Sequence, residues 1–329
     1  MVVRATDTSH DRLAGATPAV QRSAMSNTGG LPIKRNLALV LSLQAVVWTL
    51  LWLMEQQGGW VAVVIAAVLS CVLLTNYALM HEGAHGLLAR DSRVNSALAW
   101  LTSALFPTSS TLFRVAHDAH HYSNKTEFEP FDYYRPGENR LLKYAAWYAI
   151  LLGPNWLLMP IGSLLLSIDP RLLQRGFLGR MPTTQELRKL FAAPGVRSAI
   201  ALETLLLIGY WILMIQLLGL STGTVLLAAA AFAFHWSTRQ YLTHAYTPCD
   251  VIEGAHNLSA SRFVSWMLLH GHLDLVHHQN PSLPWTELPA HLPESRPPVD
   301  TWALYRAMWR GPRPAPAPAP EPLPDTRLA

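Results

Sequence analysis

Residues Trp60–His85 read WVAVVIAAVLSCVLLTNYALMHEGAH. The first part, Trp60–Met80, carries no charge. A helix rises ~1.5 Å per residue, so ~20 apolar residues cross the hydrocarbon core of a bilayer. The stretch predicts a membrane span that ends in two histidines and a glutamate. His81 and His85 are four residues apart, which puts both imidazoles on one face of a helix. A polar ring at the edge of lipid costs free energy unless it has a partner, so the fold and the site pose one question.

The rest of the chain supports the membrane reading. Of 329 residues, 50% are hydrophobic and 14% are charged, with 12 Trp. Soluble domains carry ~25% charge. Leu37–Met54 has no charge, Ile200–Leu220 has only Glu203, and Thr224–His244 is apolar until Arg239. A soluble all-α protein would break such runs with charge. The expected fold class is therefore all-α and integral to the membrane. Four transmembrane helices form two hairpins, with interfacial or re-entrant helices and a histidine-rich cytoplasmic cap.

Orientation follows from the basic residues. Glu55–Gly59 and Ser221–Gly223 contain no Lys or Arg; apart from Arg239, all of these residues lie in the other connectors and the tails. The positive-inside rule then places both termini and the histidine stretches in the cytoplasm. The net charge of +4 is concentrated on that face. It suits anionic lipid head groups or an acidic electron-donor protein docking at Arg171, Arg175 and Arg180. Nucleic acid is not among the expected partners. The polar first 36 residues resemble neither a secretory signal nor a transit peptide, so a bacterial inner membrane is the expected location. Cys71 and Cys249 form neither a disulfide framework nor a CxxC site.

Three regions are expected. Residues 1–36 form an N-terminal segment, disordered over Met1–Gly30. Residues 37–298 form the membrane domain. Residues 299–329 hold a helix remnant and a Pro/Ala-rich tail, Pro312–Pro324, read as a linker or solvated end. Within the domain, Gly58-Gly59 turns the first hairpin and Gly219–Gly223 the second, and the helix of Trp60–Met80 continues into HEGAHGLLAR. Asn95–Phe106 is too short to span and is ended by Pro107. Gly153-Pro154-Asn155 breaks Leu141–Ile168 into two pieces, read as interfacial or re-entrant. The Arg-rich loop Arg171–Arg197 follows.

Two further stretches match the first. HDAHH places His117, His120 and His121 at i, i+3 and i+4; DLVHH repeats the pattern with Asp274, His277 and His278. His244 lies at the same predicted end of the fourth span. One transition metal takes roughly four to six ligands, so eight or nine candidates call for two ions. Gln240, one turn before His244, could orient a metal-bound water. His235 faces away from His244 and reads as a packed residue. His270 shares the predicted helical face of His277 and His278 and is a reserve ligand; His272 does not share it. His256 and His291 read as loop residues. HEGAH also matches HExxH of zinc metalloproteases, with Glu82 as base, but that reading leaves the other two stretches without a role.

The order HxxxH, HxxHH, a late single His and a third HxxHH-like box resembles the integral-membrane fatty acid desaturase superfamily. "HHQNPSLPWTELP" after the third box is similar to that family's HH-xxP-xxPW-xxLP ending, and "HHYSNKTEFEPFD" to its HHxxTNxxxDPD region. The resemblance runs from about Asn36 to Pro289. It implies four spans under a cytoplasmic cap holding two irons. It also implies His81, His85, His117, His120, His121, His244, His277 and His278 as ligands. Asp274 stands where the family has His, and Gln240 where some relatives have Asn. Asp274 and His270 both remain open as a further ligand.

Zinc has no redox chemistry, whereas iron with O2 can attack an unactivated C–H bond. The expected function is an O2-dependent di-iron lipid desaturase that introduces a C=C bond into an acyl chain. A di-iron hydroxylase on a lipid or specialised metabolite is the alternative. No flavin, Fe–S or haem motif is visible, so electrons are expected from a ferredoxin or cytochrome b5 type protein.

Overall fold

The computed structural model describes residues 30–129, 131–169, 191 and 193–324. The N-terminal stretch before Gly30 and the arginines 171, 175 and 180 lie outside these. The described chain is mostly helical: α1 (Ile33–Gln57), α2 (Gly59–Ala84), α3 (Ser92–Leu105), α4 (Ser110–Ser123), α5 (Arg140–Leu152), α6 (Leu158–Ile168), α7 (Val196–Leu218), α8 (Thr222–Gln240), α9 (Arg262–Met267), α10 (Asp274–Gln279) and α11 (Thr301–Met308). Two dipeptide strands, β1 (Tyr133–Tyr134) and β2 (Arg313–Pro314), pair in parallel.

Three of these helices, α1, α2 and α7, are long and apolar enough to cross a membrane. In the most apolar part of α1 and of α7 only 22% of residues are buried; in α2 the share is 44%. The difference makes α2 the central helix, packed against α1, α3, α4 and α8. Leu69, Leu73 and Leu74 of α2 meet Val47, Leu51 and Met54 of α1 and Phe232 and Trp236 of α8. Leu41, Val63, Val68, Leu205, Leu206 and Leu217 remain on the outside, where water would reject them and lipid would not.

Glycines set the turns. Gly58 (φ +61°) alone separates α1 from α2. Gly219 (φ +63°) ends α7, and Ser221 caps α8, its Oγ accepting from the Thr224 amide at 3.3 Å. The two hairpin turns are tied together: Glu55 Oε2 accepts from the Ser221 amide at 2.8 Å and its hydroxyl at 2.9 Å. Both turns therefore lie at one end, and the C-termini of α2 and α8 lie at the other.

The interrupted segment breaks at Gly153 (φ +112°), and its two halves meet at 87°. A side chain at Gly153 would press on the α8 backbone, 3.2 Å from the Phe234 nitrogen. Counting the bent pair as one span would bring the candidate spans to four.

The structure differs from the sequence expectation in three places. The helix of Trp60–Met80 stops at Ala84 instead of running through GLLAR. Gly86 (φ +76°) forms a Schellman end there, with Leu87 N–H donating to Glu82 O and Gly86 N–H to Gly83 O. The helix expected over Thr224–His244 is α8, which ends at Gln240 and is not among the three helices apolar enough to span. Its last turns carry His235, Ser237, Thr238, Arg239 and Gln240. The described part of the tail lies on the protein. Arg313 stacks over the Tyr246 ring at 3.6 Å, and the Leu323 amide donates to Tyr122 O at 2.9 Å.

Candidate metal centre

Each histidine stretch ends a helix or forms a short one, and four such pieces converge. His81 lies in the last turn of α2 and His85 caps it. His117, His120 and His121 occupy the last turns of α4, His244 ends a 3-10 turn just after α8, and α10 carries Asp274, His277 and His278. The rings sort into two groups: His81, His85, His117, His121 and His277; and His120, His244 and His278. Within each group one ligand atom per residue lies within 4.8 Å of all the others. The groups adjoin, with the rings of His121 and His278 4.5 Å apart.

Helical spacing explains the sorting. His117 and His121, at i and i+4, enter the first group together, while His120 turns into the second. Asp274 and His278, also i and i+4, both face the second group. Asp274 Oδ2 lies 3.0 Å from His244 Nε2 and 3.9 Å from His278 Nε2.

The donor set fits cations. In the first group the Nε2 atoms of His85 and His117 are 2.8 Å apart, and those of His117–His121 and His121–His277 are each 3.1 Å apart. Two nitrogens about 2.1 Å from a shared ion, at near-tetrahedral or octahedral angles, stand about 3.0–3.4 Å apart. In the second group, His244 Nδ1 donates to the Gly254 carbonyl at 3.0 Å, and His120 Nδ1 meets Glu129 Oε2 at 2.6 Å. A carbonyl only accepts, so His244 carries its proton on Nδ1. Its Nε2 then faces His120 Nε2 at 3.2 Å and Asp274 Oδ2 at 3.0 Å. Asp274 Oδ2 is buried with no partner of hydrogen-bond geometry, despite its closeness to His244. Imidazole nitrogens and a carboxylate oxygen of unmet bonding directed together are what a cation relieves.

Electrostatics point the same way. Burial holds His117, His121, His277 and His278 well below the ordinary histidine range, keeping the rings neutral as ligation requires. Burial opposes the charge of Asp274, but the adjacent His244 outweighs it and holds the carboxyl well below its usual range. For His120, burial lowers, but Glu129, by charge and hydrogen bond, and Asp274 together raise, so the net shift is upward.

Supporting groups fix the geometry. Glu203 was the lone charge in the third apolar run. It caps α4, the helix of the second stretch: Oε2 accepts from Ser109 Oγ (2.5 Å) and the Thr111 amide (2.8 Å), and Oε1 from Ser110 Oγ (2.9 Å) and Thr111 Oγ1 (2.8 Å). A carboxylate there suits the positive end of the helix dipole. Lys125, buried, bonds Asp132 Oδ2 at 2.7 Å and also holds the His244 carbonyl. Asn124 Nδ2 donates to the Gly254 carbonyl at 3.0 Å, the same oxygen that orients His244. None of Glu129, Lys125, Asp132 or Gly254 was singled out from the sequence. Lys125, Glu129 and Asp132 lie within the HHYSNKTEFEPFD resemblance, which was their signal; that of Gly254 was its position after His244.

Glu82 of HEGAH accepts from the Trp285 amide at 3.0 Å, and Trp285 Nε1 donates to Asn36 Oδ1 at 3.0 Å. The PW segment is thereby bound to the end of α2. The first group offers five imidazoles, more than the three protein ligands of a zinc peptidase.

The reserve residues separate. Gln240 lines a cavity of about 440 Å³ together with His81, His117, His120, His244, Asp274, His277 and His278. His270 lies outside both groups, its Nδ1 2.8 Å from Ser265 Oγ. The helix that would align it with His277 begins only at Asp274, and His270 itself has φ +60°. His235 pairs with Ser70 Oγ at 2.9 Å, and His256 Nε2 lies 3.1 Å from the Ala245 carbonyl.

Compared with curated proteins, the chain matches none. The family profile described as fatty acid desaturase matches residues 58–310, a stretch that holds every histidine of both groups together with Glu129, Glu203 and Asp274. By that match over most of its length, this chain belongs to the fatty acid desaturase family.

Proposed function

We propose that the chain is a membrane-embedded, O2-dependent oxidoreductase that holds two iron ions and desaturates a lipid acyl chain. The observation that carries the reading is the pair of adjoining imidazole groups, one with five rings and one with three plus Asp274, opening onto one apolar cavity. His81, His85, His117, His121 and His277 would hold one ion, and His120, His244, His278 and Asp274 the other. Bound iron supplies the O2-dependent oxidation that an unactivated C–H bond requires.

The chain's own residues do the rest. Leu74, Ala78, Phe113, Leu158, Met159 and Leu166 line the cavity and offer an apolar chain a dry path to the imidazoles. Glu129 and the Gly254 carbonyl hold His120 and His244 with Nε2 toward the centre. Gln240 places an amide on the cavity wall for a water or an oxygen atom. Overall, two neighbouring methylenes, O2, two electrons and two protons give one alkene and two waters. The electrons come from an outside donor of ferredoxin or cytochrome b5 type.

In this reading α1, α2, α7 and α8 cross the membrane with the histidine end in the cytoplasm. The support is the absence of Lys and Arg from both hairpin turns at the opposite end. Expression of the full chain followed by mass spectrometry of host lipids tests the function. Acyl chains lacking two hydrogens, absent with His120→Ala, are expected. Chains carrying one added oxygen would replace desaturation by hydroxylation at the same site.

A further inference from the structure

We infer that the cavity takes its substrate as a free carboxylate, and that Arg239 binds the carboxylate group. The inference rests on the oxidoreductase reading for its meaning but not for its test. Arg239 lies in the last turn of α8 and lines the cavity beside Gln240. It is the one Lys or Arg among the described residues of that lining. Among the described residues it forms no ion pair and no hydrogen bond. The acidic groups close enough to act on it electrostatically are Tyr77 and Asp274.

Among the described residues, none of the acids in the cavity wall bonds Arg239. Asp274 lies against His244 at 3.0 Å, Glu129 against His120 at 2.6 Å, and Glu82 accepts from the Trp285 amide at 3.0 Å. Among the described residues the guanidinium is thus left without an acceptor in a largely apolar enclosure, an arrangement that is unfavourable until an anion arrives. One turn earlier on the same helix, Trp236 also lines the cavity, with its ring 5.6 Å from that of Tyr77. The guanidinium, a permanent cation with a planar fork, matches the two oxygens of a carboxylate. A thioester or ester carbonyl would leave the positive charge uncompensated. A phosphate dianion calls for more cationic partners than one arginine. The apolar walls then hold the hydrocarbon part of the acid.

The test is equilibrium binding to the full-length, metal-free protein in lipid nanodiscs, with empty nanodiscs as the blank. Dodecanoate is compared with its methyl ester. The acid is expected to bind about tenfold tighter or more. Arg239→Gln is expected to remove that preference and Arg239→Lys to keep part of it. Equal binding of acid and ester to the parent protein overturns the proposal without recourse to any variant, as does an unchanged preference in a folded Arg239→Gln protein. Iron content and product formation are measured separately, on the same full-length chain purified from cells supplied with iron. An acid preference without iron sinks the di-iron reading and leaves the carboxylate site standing; full iron loading without an acid preference does the reverse.

Discussion

The carboxylate of Glu82, within the first histidine stretch, accepts a hydrogen bond from the backbone amide of Trp285, 203 residues away in the chain, at 3.0 Å. The contact ties the end of α2 to the PW segment that follows the third stretch. A glutamine keeps an acceptor at this position. Glu82→Gln is therefore expected to keep the parent's metal content and most of its product formation. Glu82→Leu, which leaves the buried amide unpaired, should lower stability by about 1–3 kcal/mol. Thermal unfolding and elemental analysis of both variants check this, and loss of all activity in the glutamine variant alone would revive a role for Glu82 as a base.

Glu203 predicts a stability effect with a functional consequence. It satisfies four donors at the start of α4, the helix that delivers three of the imidazoles. Glu203→Ala should cost about 2–3 kcal/mol and reduce iron content, because the helix end would fray. Glu203→Gln should be milder. Unfolding midpoints in detergent, set beside metal content, provide the check.

Close packing sets a third expectation. A side chain at Gly83 would meet Ala99 Cβ at 2.8 Å and Ala99 Cα at 3.2 Å, where α3 crosses α2. Gly83→Ala should destabilise by about 1–3 kcal/mol. Ala99→Gly in the same chain should recover part of that loss, and a double-mutant cycle measures the coupling.

The buried Lys125–Asp132 pair supplies a fourth. Asp132 also accepts from Tyr241 OH at 2.9 Å and the Tyr246 amide at 2.6 Å, so it keeps its place when the lysine is gone. Removing one partner of a buried pair costs about 3–5 kcal/mol. Lys125→Met should show a loss of that size by denaturant unfolding. It should also weaken metal retention, since Lys125 holds the backbone carbonyl of His244.

The sequence made one part of this architecture plain and hid another. Apolar runs with at most one charge marked α1, α2 and α7, because length and apolarity are local properties. The i, i+3 and i+4 spacings marked the candidate ligands, because side chains so spaced share a helix face. Which imidazole joins which group was not legible, since it depends on how α4 and α10 meet across 156 residues of chain. Glu203 read as an anomaly in an apolar run until its partners on α4 were visible. His270 looked aligned with His277 only under a helix that starts later, at Asp274. The Pro-rich tail read as solvated because polyproline makes no bonds of its own, yet β2 pairs with β1.

The most direct test of the central claim is the metal content of the purified full-length chain grown with iron, alongside Asp274→Ala. The two imidazole groups predict about two iron ions per chain in the parent. With Asp274 removed from the smaller group, about one should remain, while the five-histidine group keeps its own. One zinc per chain, or wild-type iron loading in Asp274→Ala, would contradict this assignment.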